Sequence, residues 1–268
     1  MMNEQEYLGL LRLCINSDRV PNRTGIDTLQ SPPGQQLKLD LHGNKLPLLT
    51  TKKMNYRAAF VELIWMLRGH STTEFLHENG VHIWDSWATE DGELGPIYGT
   101  QWRSFGGRKG GKDQIVALER GLAADPHSRR HLVSAWDPNS LELQALPPCP
   151  FAFQFIVDSR NRLNCVVYQR SADVFLGVPF DMLEFATLTI ILAQLHNFAP
   201  GTLTMQFGDL HIYVNHIYPA ALQLTRDTLT PAHLAVNDKL DSITSLELDD
   251  LTVVNYNHHD PIVAKVAV

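Results

Sequence analysis

The stretch LNCVVYQRSADVFLGVPFDMLEFATLTIILAQLH, residues 163–196, decides the fold. It opens on Leu163 to Tyr168, a short β-branched run that reads as a strand. It closes on Asp181 to His196, which is apolar on nearly every side and reads as a core helix. Between them lies a polar patch containing Arg170, Ser171 and Asp173. Asp181 sits at the head of the helical stretch with Glu184 three residues on, a pattern that also fits an N-cap.

Working outward, Phe151 to Val157 reads as a second strand, joined to Leu163 by a turn over Asp158 to Arg162. Leu132 to Trp136 adds a third strand, with weaker signals at Leu203 to Phe207 and Leu251 to Val254. Tyr56 to Gly69 reads as a helix. Phe60, Leu63, Ile64 and Leu67 fall at i, i+3, i+4 and i+7, and Gly69 is placed to end it. Helices and strands mix without strict βαβ alternation, which favours an α+β fold over a doubly wound sheet. No repeat, linker or low-complexity tract divides the chain, so one domain over residues 1–268 is expected. Gly106 to Lys112 (GGRKGGK) reads as an exposed basic loop; no Ser or Thr follows its last Lys, so it lacks the P-loop pattern.

The 268 residues are 44% hydrophobic and 19% charged, a globular composition with ample core. Lys and Arg number 22 against 29 Asp and Glu, a formal charge of −7 with no long run of one sign. General binding to a nucleic-acid backbone is not expected from that balance. The N-terminal stretch has no secretory pattern, and Met182 to Leu195 is short for a bilayer span, so a cytoplasmic protein with no membrane partner is expected. Cys14, Cys149 and Cys165 are too scattered for a disulfide framework or a Cys-rich zinc site. No His, Asp and Glu set has convincing metal spacing.

Cys149 is stiffened by Pro147, Pro148 and Pro150, and reads either as a small buried hydrophobe or as a fixed nucleophile beside cations. Arg23, Arg129, Arg130 and Arg170, with Ser171, are the groups that would suit a dianionic phosphate. Glu62 lies inside an apolar helix, where burial would raise its pKa and fit it for acid–base work; the polar edge of the helix is the alternative. Trp84 and Trp87 flank Asp85 and offer either core packing or an aromatic shelf for a flat heterocycle. His211 and Tyr213 would share one face of a strand and could both hold a sugar hydroxyl.

Taken together, these segments resemble the thymidylate synthase family over nearly the whole chain. The matching runs include Asn22-Arg23-Thr24-Gly25, Ile83-Trp84-Asp85, Gly95 to Arg103, Asp125 to Arg130, Pro148-Cys149 and Gly208 to Tyr213. The most specific run is Tyr168-Gln169-Arg170-Ser171-Ala172-Asp173-Val174-Phe175-Leu176-Gly177. The resemblance implies a mixed sheet packed with helices, a homodimer joined through a sheet face, and 5,10-methylenetetrahydrofolate as co-substrate with no metal. By that resemblance Cys149 attacks carbon 6 of a pyrimidine deoxynucleotide and activates carbon 5 for one-carbon transfer. Glu62 would organise water and Tyr98 would assist loss of the carbon-5 proton. Arg23, Arg170 and Ser171 would hold the phosphate, with Arg129 and Arg130 reaching across from the second subunit. Gln169, Asp173, Asp181, His211 and Tyr213 would bind base and sugar. Ile83, Trp84, Trp87, Asp173, Leu176, Gly177, Phe180 and the C-terminal Val266-Ala267-Val268 would contact or enclose the folate, and Lys52 would lie near its acidic tail.

The departures bear on the substrate. The synthases read Pro-Phe-Asn where this chain has Pro179-Phe180-Asp181. The Asn amide accepts from uracil N3–H and donates to oxygen 4, and cytosine reverses both positions. A carboxyl group accepts from the cytosine amino group and, when it is protonated or when the base gains a proton at N3, completes the second bond. Mispaired buried polar groups discriminate strongly between such analogues, so Asp181 argues for dCMP over dUMP. Deoxycytidylate hydroxymethylases, relatives of the synthases, carry Asp here. Pro150 stands where His is usual, which agrees with a changed base. Ala172 replaces a common Cys, and Asn55 lies near a frequent His; neither has a reading.

The retained Trp84, Trp87 and apolar C-terminus favour a closed site, hydride transfer and 5-methyl-dCMP. The alternatives are water addition to give 5-hydroxymethyl-dCMP, and a thymidylate synthase that tolerates Asp181 and acts on dUMP. A non-catalytic nucleotide-binding relative is disfavoured, because binding alone needs no nucleophile. Modified cytosine nucleotides suit a virus that disguises its DNA, so a phage-encoded enzyme acting in a host cytoplasm is the expected setting.

Overall fold

A computed structural model describes residues 2–106 and 110–267. The chain begins with α1 (Met2–Ile15), β1 (Asp18–Val20), β2 (Thr28–Gln30) and β3 (Gln35–Asp40). Then come α2 (Tyr56–Leu67), α3 (Glu74–Glu78), α4 (Tyr98–Arg103) and α5 (Gln114–Ala124). The central part holds β4 (Leu132–Ser134), β5 (Pro150–Val157), β6 (Arg162–Asp173), α6 (Gly177–Leu195) and β7 (Ala199–Tyr213). It ends with α7 (Ile217–Leu224), β8 (His233–Val236) and β9 (Leu251–Val254).

Seven strands form one mixed sheet in the order β1-β2-β7-β6-β5-β4, with β3 also paired to β7. Only β6 and β7 pair in parallel; the other pairs are antiparallel. A parallel pair needs a long crossover, and α6 supplies it. The inward residues of β6 (Leu163, Cys165, Val167) and of β7 (Leu203, Met205, Phe207) are all buried. α6 packs on both strands and α2 packs on α6, so the helix is covered on both sides. This is the α+β fold that the mixed pattern predicts.

Several boundaries differ from the sequence expectations, each for a local reason. β6 continues five residues past Tyr168 to Asp173, because β5 and β7 pair with it along that length. The polar patch is thus the end of a strand and not a loop. α6 starts at Gly177, four residues before Asp181, so Asp181 and Glu184 are not a cap. The turn is made instead by Asp173, whose Oδ1 accepts the N–H groups of Phe175 (2.9 Å) and Leu176 (3.3 Å). Pro179 is tolerated because the first-turn amides of a helix have no internal partner.

α6 is 19 residues long, and by length and composition alone it could cross a membrane. In the fold it is the core helix, with 78% of its most apolar window buried within the protein. β7 runs for 15 residues where only Leu203 to Phe207 is legible in the sequence, because β6 holds one edge while β2 and β3 share the other. β4 stops at Ser134, whose hydroxyl accepts the Trp136 N–H (3.2 Å) and turns the chain. α2 and β9 match their expected positions, and Gly69 adopts φ +75° after α2. Phe105 and Lys112 bridge the base of the Gly-rich loop, and its residues 107–109 lie outside the described residues.

The loop that leads into α2 is fixed by one buried carboxylate. Glu4 Oε1 accepts from the Thr50 and Thr51 amides (both 2.8 Å) and from Thr51 Oγ1 (2.8 Å). Its Oε2 accepts from Thr50 Oγ1 at 2.6 Å. The C-terminal segment docks on the same loop, with the His259 amide donating to Thr50 O (2.7 Å). Glu4→Ala would strand two buried amides, so denaturant unfolding should show a loss of about 2 kcal/mol or more. An unchanged midpoint would contradict this role.

Candidate active site

One cavity of about 890 Å³ opens where β5, β6 and β7 meet the start of α6 and the face of α2. Its size and largely apolar lining are those of a small-molecule site. It gathers Cys149, Glu62, Tyr98 and Asp181 with Arg23, Arg170, Ser171, Gln169, Asp173, His211 and Tyr213. Ile83, Trp84, Trp87, Leu176, Gly177, Phe180 and Ala267 form its apolar side, joined by Ala264 and Val266. Val268 lies outside the described residues.

Cys149 immediately precedes β5, and its carbonyl accepts the Arg170 N–H at 2.9 Å. Its own N–H donates to Tyr98 Oη at 2.7 Å. The Arg170 side chain donates from Nε to Pro148 O (2.9 Å) and from NH2 to Pro147 O (2.6 Å), clamping the proline segment. That places NH2 3.9 Å from Cys149 Sγ. Burial pushes the Cys149 thiol above its ordinary value, and the Arg170 charge only partly opposes this. The expected thiolate is thus not held ready, because burial outweighs the cation. Cys14 and Cys165 are fully buried with thiols pushed up to about 12, which leaves them inert.

Asp181 projects from the second turn of α6, and its Oδ2 accepts from Gln169 Nε2 at 2.7 Å. Burial raises its carboxyl to about 7, against the lowering effect of Gln169, with help from the nearby Glu62 and Asp173 charges. Glu62 Oε1 accepts from Trp84 Nε1 at 2.7 Å. Burial raises this carboxyl too, while the bonds from Glu184 and Trp84 hold it down. Trp84 lies edge-on to both Trp87 (5.6 Å) and Tyr98 (6.1 Å), forming one aromatic wall. Burial keeps the Tyr98 phenol protonated well above its usual range.

His211 is buried beside Asp209 (Nδ1 to Oδ1, 3.0 Å), and its ring meets Tyr213 edge-on at 5.4 Å, as their shared strand face predicts. Gly208 is needed where β7 passes Arg170: a Cβ there would lie 2.9 Å from the Arg170 carbonyl. The C-terminal segment is tied down by His216, whose Nε2–H donates to Lys265 O at 2.7 Å.

Several residues of interest lie away from the cavity. Lys52 does not line the cavity. It is buried, its Nζ donates to Phe175 O (2.6 Å) and lies 3.8 Å from the Phe175 ring centroid, and burial lowers its pKa to about 7. Arg129 and Arg130 are exposed and lie outside the cavity lining. Spacing also failed to reveal His77, His82 and Asp85, whose ligand atoms fall within 4.8 Å of one another. All three are exposed, and both imidazoles already bond the Asp85 carboxylate (2.7 and 2.9 Å). Glu184 and Trp136 were missed as cavity residues. The Glu184 spacing from Asp181 was visible but read as capping, and nothing in the sequence marks Trp136.

The cavity fits a folate and a nucleotide together. It has room for both, and Trp84 and Trp87 supply aromatic faces for a flat ring. The buried Gln169 Oε1 has no partner among the described residues, as expected of a group that meets a ligand. Trp84, Trp87, Leu176 and Phe180 would hold the folate, which supplies the one-carbon unit. The thymidylate synthase family model matches residues 5–268. The chain therefore belongs to the thymidylate synthase family, enzymes of folate-dependent one-carbon transfer to carbon 5 of a pyrimidine nucleotide.

Proposed function

We propose that this chain is a folate-dependent dCMP C5-methyltransferase that gives 5-methyl-dCMP. Asp181 carries the choice of base: it stands at the cavity wall, held by Gln169, with a carboxyl raised to about 7. Near neutral pH it exists in both protonation states. The carboxyl accepts from the cytosine 4-amino group in either state and, when protonated, also donates to N3. The ionised form is acceptor-only and meets uracil oxygen 4 without a donor, which is where the two bases are told apart.

The chemistry follows from the groups around the base. Cys149 Sγ, ionised with the help of Arg170, adds to carbon 6. The electron pair of the carbon 5–carbon 6 bond moves toward N3, which takes its proton from Asp181. Carbon 5 becomes an enamine carbon, able to accept the one-carbon unit. Glu62 is the base-facing carboxyl for the later proton movements. Trp84, Trp87, Val266 and Ala267 line the cavity and would close over a bound folate to keep water out, which favours a methyl over a hydroxymethyl product.

In this reading residues 1–268 act as one catalytic domain within a cytoplasmic homodimer. Support comes from Leu132 (48% exposed) and Ile156 (40% exposed), apolar side chains on β4 and β5, close in sequence to the exposed Arg129 and Arg130. Each subunit's Arg129 and Arg130 would then complete the other's phosphate site. Sedimentation should give twice the chain mass. Arg130→Ala should raise the nucleotide KM about tenfold, as expected for loss of a charge-assisted bond. A fully active monomer would contradict the shared site.

Incubation with methylenetetrahydrofolate and either dCMP or dUMP, read by product mass and dihydrofolate absorbance, tests the main reading. The expected result is a methylated dCMP with dihydrofolate formed. A hydroxymethyl product without dihydrofolate would keep the base assignment and overturn the closed-site argument. Turnover of dUMP alone would overturn the base assignment. Asp181→Asn should shift the dCMP-to-dUMP preference by about 100-fold or more toward dUMP.

The same substitution has a pH signature in stability. A carboxyl raised on folding stabilises the protein at low pH, and that contribution is lost as pH rises from about 4 through about 7. Asp181→Asn should therefore be more stable than the parent at pH 8, with the advantage disappearing below pH 4. A pH-independent difference would contradict the raised carboxyl.

A further inference from the structure

Glu184 is the one buried carboxyl in the cavity wall without a role in the reaction described above. It lies one helical turn beyond Asp181 on α6 and is 5% exposed. Its Oε1 is fully buried and meets no N–H or hydroxyl donor among the described residues. The group it faces is another carboxyl, Glu62, which lines the same cavity from α2, the helix packed against α6, and whose charge raises the Glu184 carboxyl. Met66, Trp84, Trp102 and Phe185 line the same region. Two ionised carboxylates cannot stay in contact in such surroundings, and an unsatisfied carboxylate oxygen is not kept buried without compensation. One proton between them removes both problems.

We propose that Glu184 is a positioning residue that shares a single proton with Glu62, so the two carboxyls work as one unit of charge −1 beside Cys149 and Asp181. Trp84 Nε1 donates to Glu62 Oε1 at 2.7 Å and keeps the negative charge on Glu62. The proton therefore rests on Glu184, whose carboxyl is raised well above its usual range by burial and by the Glu62 and Asp181 charges. Glu184 donates to Glu62, fixes its orientation and holds it ionised. Glu62 can take a proton from the reacting groups and return it while the pair never carries two charges. The titratable and charged groups facing the pair are Tyr98 from α4, Cys149 ahead of β5, Asp181 on the same helix, and Asp173 and Arg170 across the cavity on β6. Because the two sites are coupled, their titration belongs to the pair and spreads over a wide pH range.

This inference rests on the reading of Cys149 as the nucleophile, but the pair itself can be observed without substrate. Infrared spectra of the unliganded protein at pH 9 address it first. There Asp181, at about 7, is ionised. The parent should keep an un-ionised carboxyl C=O band that Glu184→Gln removes and Asp181→Asn retains. Absence of the band in the parent, or its persistence in Glu184→Gln, would overturn the proposal.

Kinetics, run with whichever nucleotide is turned over, provide the second reading. Glu184→Gln keeps a donor to Glu62 and should hold kcat within about tenfold, while Glu184→Leu should lower kcat about 100-fold with little change in nucleotide KM. Glu184→Gln should also lose any alkaline fall in kcat that the parent owes to the pair giving up its last proton. Equal kcat in Glu184→Leu and the parent would overturn the positioning role. Should Glu184→Leu not fold, the infrared comparison and Glu184→Gln decide the matter. Turnover of dUMP in place of dCMP would overturn the base assignment and leave the pair standing.

Discussion

Carboxyl groups held in an apolar cavity are the constraint that the rest of the site answers to. Asp181, Glu62 and Glu184 all carry raised pKa values for the same first cause, burial. Two of them have a specific donor, Gln169 for Asp181 and Trp84 for Glu62; for Glu184 the proposed proton shared with Glu62 takes that place. Those donors come from β6, from the loop after α3, and from α2 and α6 facing each other. Assembling the fold and tuning the site are therefore one event. The parallel pair β6 and β7, with α6 crossing between them, brings Gln169 and Asp181 within 2.7 Å.

The same burial that tunes the carboxyls works against the nucleophile. Cys149 is raised by desolvation even with Arg170 beside it. Arg170 spends two of its donors on Pro147 and Pro148, so its position is set by the proline segment and not by the thiol. Without a ligand the site holds Cys149 as a thiol.

The sequence made the core legible where periodicity was strong and pairing local. α2, the β5–β6 hairpin and β9 are all visible as patterns of apolar residues. What could not be read depended on long-range pairing. The full length of β7 needs three partner strands, and β1 to β3 carry too few residues for a pattern. The start of α6 was misplaced because Asp173, eight residues upstream of Asp181, does the turn-forming work through its side chain. Most of the predicted site residues do converge on one cavity, since the motif resemblance supplied proximity that spacing alone cannot. Lys52 went elsewhere because a carbonyl and a ring captured its ammonium. Glu184 was overlooked because its partner, Glu62, is distant in sequence and lies on another helix.

The central claim is that Cys149 attacks a cytosine whose edge is read by Asp181. Covalent trapping with 5-fluoro-dCMP and methylenetetrahydrofolate, beside 5-fluoro-dUMP, tests it most directly, because fluorine at carbon 5 cannot leave as a proton does. Mass spectrometry of the digested complex should find the cytosine analogue on the Cys149 peptide, far in excess of the uracil analogue. Trapping of the uracil analogue alone, or attachment at a residue other than Cys149, would contradict the account.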